Sequence, residues 1–560
     1  MDLHLTVPEM DAENMTLVET KPAKAEQWLA GLPLLNPAET SYQIYNALVA
    51  LNRMEIDDKT RFRLMEVYRA PVARLSTELK SDYIGLPLPL PHKGLQAAQR
   101  ARSLQIEMAY GYKRLVLNAT ESLKGRPSTR AMGSLAILLQ RAIRYLAETL
   151  VKSYQYYAKP PDNTWREIHQ LFELADAYGV LETQVDDELN QALPQSSVTN
   201  VYKQALLLDF SDPYHLPVRL VELIQHYLNR WSLLARLGPA KPAPAKNCQF
   251  LIDLHNDRAG EVMFPTEASY SEYQFRIMNT LELAKKIHAQ LSMLQKGEKP
   301  ATEGLHADFF DSPTTKEMLK RLLNSWGVIP KRSFSRKTKT GAHVDVAIGI
   351  RAINYWLNGG REFVLSSEFV GPMPQQRTKL GTKFVDTTEI DLSLMENEDQ
   401  GQTVEIDPEL IYASWDIRDE SAGGLGITKD KVRDQQVRVG DLIAVRASED
   451  GLWEINNIRW VKTSDAGNLR IGMKRISPVA RPVRLKIVDK DRAESDFMPA
   501  IMVPPLATIK QKQGLLTYRG VYKPGRELFF DDGYRLIKAV ITRMVESSPV
   551  FEHFEYDEIV

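Results

Sequence analysis

Ile417-Arg418-Asp419-Glu420-Ser421-Ala422-Gly423-Gly424-Leu425 is the stretch on which the fold reading turns. Asp419 and Ser421 are two residues apart, so on an extended backbone both side chains point to one face. A carboxylate and a hydroxyl on one face can hydrogen-bond the edge of a nucleobase. Gly423 and Gly424 permit a tight turn and close backbone approach, after which Leu425 opens another strand. Read alone, the stretch is a surface turn.

Upstream, Lys331, Arg332, Arg336, Lys337 and Lys339 lie within nine residues with no acid among them. The planar fork of arginine can give two hydrogen bonds to phosphate or guanine, and its face can stack on a base. The spacing Arg332-x-x-x-Arg336 lets two forks close around one ligand. Read alone, this too is ordinary, a solvated basic hinge.

The text around these two segments has a period of two. Val344, Val346, Ile348 and Ile350 alternate with smaller or polar residues, Val437, Val439, Ile443 and Val445 fall on one face, and Leu469, Ile471 and Met473 do the same. Turn signals at Glu449-Asp450-Gly451 and Ser464-Asp465-Ala466-Gly467 separate the runs. Short alternating strands with such turns predict a small antiparallel barrel. Beyond Pro482 a second β-rich unit follows, with strands at Val483-Leu485-Ile487, Leu536 to Val545 and Phe554-Tyr556.

The first part of the chain reads differently. Leu220, Leu223, Ile224, Tyr227, Leu228, Trp231 and Leu234 form one stripe at a 3.6 period, and Leu135 to Tyr154 forms another. Ile44, Leu48 and Leu51 begin a third, and Pro71, Pro87, Pro89 and Pro91 are expected to break the helices. Trp165 to Tyr178 is similar to a first tetratricopeptide helix but does not recur at the ~34-residue period of a repeat array. Gly238 to Ala245 reads as a semi-rigid Pro/Ala linker. A short strand at Phe250 to Leu254, helical text from about Tyr273 to Leu294, and a helix from Met318 to Trp326 come next.

The two charged segments together resemble the PilZ domain, a bacterial receptor for cyclic di-GMP. That family pairs an Arg-x-x-x-Arg lead-in with Asp/Asn-x-Ser-x-x-Gly on a six-stranded antiparallel barrel. Here the matches are Arg332 and Arg336, then Asp419, Ser421 and Gly424. Val437 to Leu442 resembles the family's strand entering a Gly-Asp turn, Trp453 to Trp460 its next strand, and Leu469 to Met473 its closing strand. The resemblance implies that Arg332 and Arg336 clamp the phosphates and the guanine Hoogsteen edge. It implies that Asp419 and Ser421 read the base and that Gly424 holds the turn. Lys331, immediately before the first arginine, leaves one versus two ligand molecules open. Since 419 − 336 = 83 exceeds one strand and a turn, residues from about 351 to 410 read as an insertion. The layout as a whole is similar to long PilZ-containing proteobacterial proteins.

The expected fold class is therefore multidomain α+β. It comprises a helical domain (1–237), a Pro/Ala linker (238–247) and a mixed connecting segment (248–330), followed by a PilZ-like barrel (331–480) and a C-terminal β-rich unit (481–560). Its 560 residues suit three or four domains at ~100–200 residues each.

Composition narrows the function. Lys+Arg 71 against Asp+Glu 72 gives −1, so no global field favours nucleic acid or a membrane surface. The single cysteine, Cys248, excludes an internal disulfide and any CxxC motif. The acidic N-terminal text lacks a secretory pattern, and no apolar run reaches ~18–20 residues, so the expected location is cytoplasmic, with no membrane span. No P-loop, Gly-x-Ser-x-Gly or His-Glu-x-x-His occurs, and Gly423-Gly424-Leu425-Gly426 fits no phosphate-binding fingerprint. His255 near Asp253 and Asp257 reads as a polar turn, and nothing marks Cys248 as a nucleophile. No catalytic residue, metal ligand or cofactor is assigned.

The expected function is a cyclic di-GMP-binding effector that relays the second-messenger level through its PilZ-like barrel to a protein partner, engaged by the helical domain or by the C-terminal β unit. The alternative is a ligand-free PilZ-like interaction scaffold. Single-stranded nucleic-acid binding would want a basic groove with exposed aromatics, and the cluster at 331–339 offers only Phe334.

Overall fold

The computed structural model describes residues 3–11, 18–123, 128–190, 192–240, 248–263, 271–327, 337–339, 341–366, 407, 410–432, 435–464, 467–487, 496–506 and 512–559. Two compact units emerge. The first holds the chain up to Leu86, the chain from Leu90 through the last helix before the barrels, and Lys462–Ser464.

Its helices begin where the sequence supplies caps. Helix α1 is Pro22–Ala30, α2 is Pro37–Arg53 and α3 is Asp58–Glu78. Asn36 Oδ1 accepts from Glu39 N at 3.2 Å to start α2, and Asp57 Oδ1 accepts from Thr60 N at 3.0 Å to start α3. Pro71, expected to break a helix, instead lies inside α3, whose neighbours Val72 and Leu75 are buried. Tertiary packing here outweighs the local cost of the missing N–H. Helices α4 (His92–Ser122), α5 (Thr129–Tyr154), α6 (Thr164–Ala177), α7 (Val198–Phe210) and α8 (Val218–Trp231) continue the bundle, with a small hairpin of β1 (Val185–Asp186) and β2 (Gln195–Ser196) between α6 and α7.

Strands β3 (Arg236–Pro239), β4 (Gln249–Asp253), β5 (Glu261–Val262) and β6 (Phe275–Asn279) form an antiparallel sheet in the order β3-β6-β4-β5. Gly238 and Pro239 from the expected linker thus end a strand, and residues 241–247 lie outside the described ones. The helical text from Tyr273 splits into β6 and helix α9 (Leu281–Gln295), followed by α10 (Pro313–Gly327). One hydrophobic core runs through Leu48, Tyr112, Ile143, Ile224, Ile287 and Trp326, so the connecting segment shares the core of the bundle. Two ion pairs lie within it: Lys113 Nζ is 2.6 Å from Glu167, and Arg144 is 2.6 Å from Asp187.

The second unit holds Pro87–Pro89 and two β-barrels. Its elements are β7 (Lys337–Thr338), β8 (His343–Ile348), α11 (Ile350–Leu357), β9 (Ala413–Ser421), β10 (Gly424–Lys429), β11 (Leu442–Arg446), β12 (Glu454–Thr463) and β13 (Leu469–Ser477). The sheet order is β10-β13-β12-β11-β8-β9-β7, and the β9–β10 pairing closes six of these strands into the first barrel. Two details differ from the period-two reading. Ile350 opens α11 rather than ending a strand, after Gly349 at φ +87°. Val437 and Val439 are cut off from Ile443 by Gly440 at φ +96°, so β11 begins only at Leu442.

Strands β14 (Arg481–Ile487), β15 (Met498–Val503), β16 (Gly514–Tyr518), β17 (Glu527–Asp531), β18 (Leu536–Ser547) and β19 (Phe551–Glu558) close the second barrel in the order β14-β15-β16-β19-β18-β17. Helix α11, the start of the expected insertion, is the seam between the barrels. Its Ile350 and Ile353 join Leu442 and Ile455 of the first and Ile501, Leu516 and Phe551 of the second. Asn354 Nδ2 donates to the carbonyls of Val483 at 2.9 Å and Ala500 at 2.7 Å, so this buried amide at the seam is satisfied. Most of the insertion, 367–406 and 408–409, lies outside the described residues.

Candidate functional site

Asp419 and Ser421 stand at the C-terminal end of β9, and a local irregularity decides where they point. Trp415 and Ile417 are buried in the first barrel. Strict alternation would send Asp419 inward with them. The register instead shifts: Ile417 pairs with Ile427 and Asp419 with Gly426, leaving Arg418 as an extra residue. Such a bulge re-aims the side chains beyond it. Asp419 therefore emerges on the outer face, where its side chain is 15% exposed.

What receives it there is a shallow trough of glycine. Gly426 pairs with Asp419 on one side and with Gly472 of β13 on the other. A Cβ built on Gly426 would meet both Asp419 carboxylate oxygens at 2.8 Å. A Cβ on Gly472 would meet the Trp460 indole at 2.1 Å. Glycine within a strand marks such a close approach. The carboxylate of β9 and the indole of β12 thus lie over neighbouring bare backbones. Arg470, two residues before Gly472 and on the same face, spans them. Its Nη2 donates to Asp419 Oδ2 at 3.3 Å, and its guanidinium lies 5.7 Å from the centre of the Trp460 ring. Half of the Arg470 side chain is exposed, so this ion pair is worth only ~0–1 kcal/mol and can be exchanged for another anion.

Ser421 Oγ donates to the Gly424 carbonyl at 3.2 Å across the hairpin. Gly424 is the first residue of β10, and the turn itself is Ala422-Gly423. Arg475 holds that turn: its backbone N–H donates to Gly423 O at 3.0 Å and its Nη1 to Ala422 O at 3.2 Å. Gly424 serves instead a close approach, since a Cβ there would lie 2.0 Å from the Met473 carbonyl oxygen.

Arg332 and Arg336 lie outside the described residues. The chain immediately after them does not. Lys337 pairs with Glu420 and Thr338 with Asp419, as strand β7 on the edge of β9. Lys339 continues the contact, its backbone N–H donating to Arg418 O at 3.1 Å and its Nζ to Glu420 Oε2 at 3.2 Å. The end of the basic lead-in and the Asp-x-Ser strand are therefore hydrogen-bonded neighbours. Around this hairpin Lys337, Lys339, Arg418 and Arg470 outnumber Asp419 and Glu420 among the described residues, a local positive bias that the overall charge of −1 conceals.

Sequence reasoning missed Gly426, Gly472, Trp460 and Arg470 as a group. The available signal was a glycine in each of two strands, which reads as close backbone approach. The other candidates have structural employment. Asp257 accepts from the N–H groups of Asn163, Trp165 and Arg166 at the start of α6, and Asp253 accepts from His255 N. Cys248 Sγ donates to Gly327 O, and burial pushes its thiol pKa up. Among the described residues no His/Cys/Asp/Glu group fit for a metal ion occurs, and no helix is long and apolar enough to cross a membrane.

Comparison with known proteins follows the same division. Residues 23–242 match the family described as the N-terminal domain of the cyclic-di-GMP receptor FimW. Residues 249–403 and 375–482 match its middle PilZ domain, and 483–559 match the FimW C-terminal beta-barrel domain. The chain is 25% identical to the cyclic-di-GMP receptor FimW of Pseudomonas aeruginosa over 581 aligned residues, covering 99% of this chain and 93% of that protein. No solved structure matches it. Matched in order along nearly its whole length, and carrying a six-stranded barrel with the Asp-x-Ser hairpin, the chain belongs to the PilZ-domain cyclic-di-GMP receptor family.

Proposed function

We propose that this protein binds cyclic di-GMP on the outer face of the first barrel, where β7, β9, β10 and β13 adjoin. The observation that carries this reading is the pairing of Thr338 with Asp419. It puts Lys337 and Thr338, the residues that follow Arg336 in the chain, on the edge of the strand that bears Asp419 and Ser421. In this reading Arg332 and Arg336 donate charge-assisted hydrogen bonds to the phosphates and the guanine O6/N7 edge. Asp419 accepts from the guanine N–H groups, and Ser421 bonds the same base. Gly424 keeps the hairpin against β13. The Trp460 indole offers a flat surface for a purine, and Arg470 is a further cation within reach of a phosphate.

The ligand is a dianion, and each charge-assisted bond contributes about 1.5–3 kcal/mol. Loss of one such bond then weakens binding about tenfold or more. Isothermal titration of the intact chain with cyclic di-GMP tests this, with Arg332→Ala and Asp419→Ala each expected to lower affinity by about tenfold or more. Absence of binding by the wild-type chain would overturn the reading.

The finer proposal is that this is a cytoplasmic effector whose helical domain engages a protein partner according to ligand occupancy. A ligand shifts such an equilibrium only by its differential affinity for the two states. Relay therefore requires a partner whose affinity for the chain changes on adding cyclic di-GMP, and equal affinity with and without ligand would refute it.

A further inference from the structure

We infer that the groove running over α6, α4 and the end of α2 is a peptide-binding site of the helical unit. In this structure it is held by the chain's own residues 3–11, and when they leave it is open to a partner segment of the same pattern. Residues 3–11 form no helix or strand. His4 N donates to Gln170 Oε1 at 3.1 Å and Thr6 N to Glu167 Oε1 at 2.7 Å, both acceptors on α6. Arg114 Nη2 of α4 donates to Pro8 O, and Asp11 N donates at 3.0 Å to the carbonyl of Arg53, the last residue of α2. N–H groups two residues apart that face one helix belong to an extended chain, whose side chains alternate. Accordingly His4 and Thr6 are exposed, while Leu5 between them is 9% exposed and joins the core of the bundle.

The segment is seated as a peptide ligand is seated. Main-chain hydrogen bonds run along it, and an apolar seat takes an alternate side chain, the pairing by which extended peptides are recognised. One buried leucine and these hydrogen bonds oppose the entropy of ordering the whole segment. Met10 and Glu9 contribute little, since both are exposed. A segment held by so few buried contacts opens ahead of the core beneath it.

The floor of the groove states what it accepts. Lys113 Nζ donates to Glu167 Oε2 at 2.6 Å, and both side chains are buried. The lysine serves one carboxylate oxygen and the Thr6 N–H serves the other. A carboxylate this deep needs a donor at each oxygen. Beside it lies the apolar seat of Leu5. Water supplies a donor but fills an apolar seat poorly. An extended peptide supplies both, an apolar side chain and, one residue on, a backbone N–H. The occupant is thus an extended segment with apolar residues at alternate positions, as Leu3 and Leu5 are here. This inference does not rest on nucleotide binding, and it gives the partner proposed above a defined seat on the helical unit.

Fluorescence anisotropy of a labelled synthetic peptide of residues 3–11, added to full-length chains, tests the proposal. Two chain variants unseat the resident segment. Leu5→Asp puts a charge in the apolar seat, and Thr6→Pro removes the N–H given to Glu167. Both should keep the circular dichroism of wild type. Each should bind the peptide about tenfold or more tightly than wild type, whose groove is filled. A peptide that itself carries Leu5→Asp or Thr6→Pro should bind the variant chains about tenfold more weakly than the native peptide. Arg114→Ala, added to the Leu5→Asp chain, should weaken the native peptide about threefold or more, which places the peptide on α4. The proposal is overturned if both chain variants lose their helix content, because the segment is then part of the core. It is overturned equally if neither variant takes up the peptide, if wild type binds it as tightly as they do, or if binding is indifferent to Arg114→Ala.

Discussion

The carboxylate of Asp419 occupies the space that a side chain on Gly426 would need, its oxygens lying 2.8 Å from where the Cβ would be. The two residues are paired across the β9–β10 hairpin, next to the bulge at Arg418. An acid is thereby held on the outer face of a barrel within reach of Arg470. Asp419 owes its aim to an absent Cβ and an extra residue, so both can be tested without touching the acid.

Gly426→Ala should turn Asp419 off the trough and separate it from Arg470. The carboxylate is the movable end of a side chain, so the barrel should survive with a stability change of about 1 kcal/mol or less. Affinity for cyclic di-GMP should fall about tenfold. Titration calorimetry beside thermal unfolding checks both. Unchanged affinity would show that the position of Asp419 does not matter to binding.

Gly424→Ala should behave in the opposite sense. The Cβ would meet the Met473 backbone oxygen at 2.0 Å, and a backbone atom cannot swing aside. Overpacking of this kind costs about 1–3 kcal/mol. The first barrel should lose stability with or without ligand. A variant as stable as wild type but defective in binding would assign Gly424 a direct ligand role instead.

Trp460→Ala should weaken nucleotide binding by ~1–3 kcal/mol, the range for one stacked base, while Trp460→Phe should retain much of it. Arg470→Ala should also weaken binding, and the loss should shrink as salt is raised, because the contact is exposed and screened. Fluorescence quenching on ligand addition that persists unchanged in Trp460→Phe would place the base elsewhere.

His169 gives the helical unit an acid limit. Burial is the main cause that drives its pKa from 6.5 down to about 4, against the pull of the Arg258 carbonyl and of Asp253 and Asp257. Between those values the unfolded chain binds the proton and the folded one does not. The stability from the neutral ring is thus fully present above pH 6.5 and is lost as pH falls towards 4, a difference of ~3 kcal/mol. Unfolding of the helical unit followed at pH 7 and pH 4.5 should show a steeper loss for wild type than for His169→Gln. Equal losses would exclude this origin.

Much of this protein is written in local patterns. Stripes such as Leu135 to Tyr154 and alternations such as Leu469 to Met473 state helix and strand, because side-chain period follows directly from backbone geometry. The segment Asp419 to Gly424 likewise announced its own hairpin, since Ala422-Gly423 supplies the turn within the motif. The basic run at 331–339 also stood out without any structure, being five cations without an acid.

Other features were set by residues far apart in sequence. Pro71 fails to break α3 because the helix around it is anchored in the bundle core by Tyr68, Val72 and Leu75. Ile350 starts a helix because two barrels share its side chain as common core. The row Asp419, Gly426, Gly472 and Trp460 crosses four strands, and only barrel closure puts β10 between β9 and β13. The aim of Asp419 itself depends on a bulge, a one-residue offset between two strands that neither strand's own sequence records. Period and turn chemistry are properties of a few adjacent residues and can be read from the chain. Register, closure and the room left by a missing Cβ are properties of pairs of strands, and they exist only once the chain has folded.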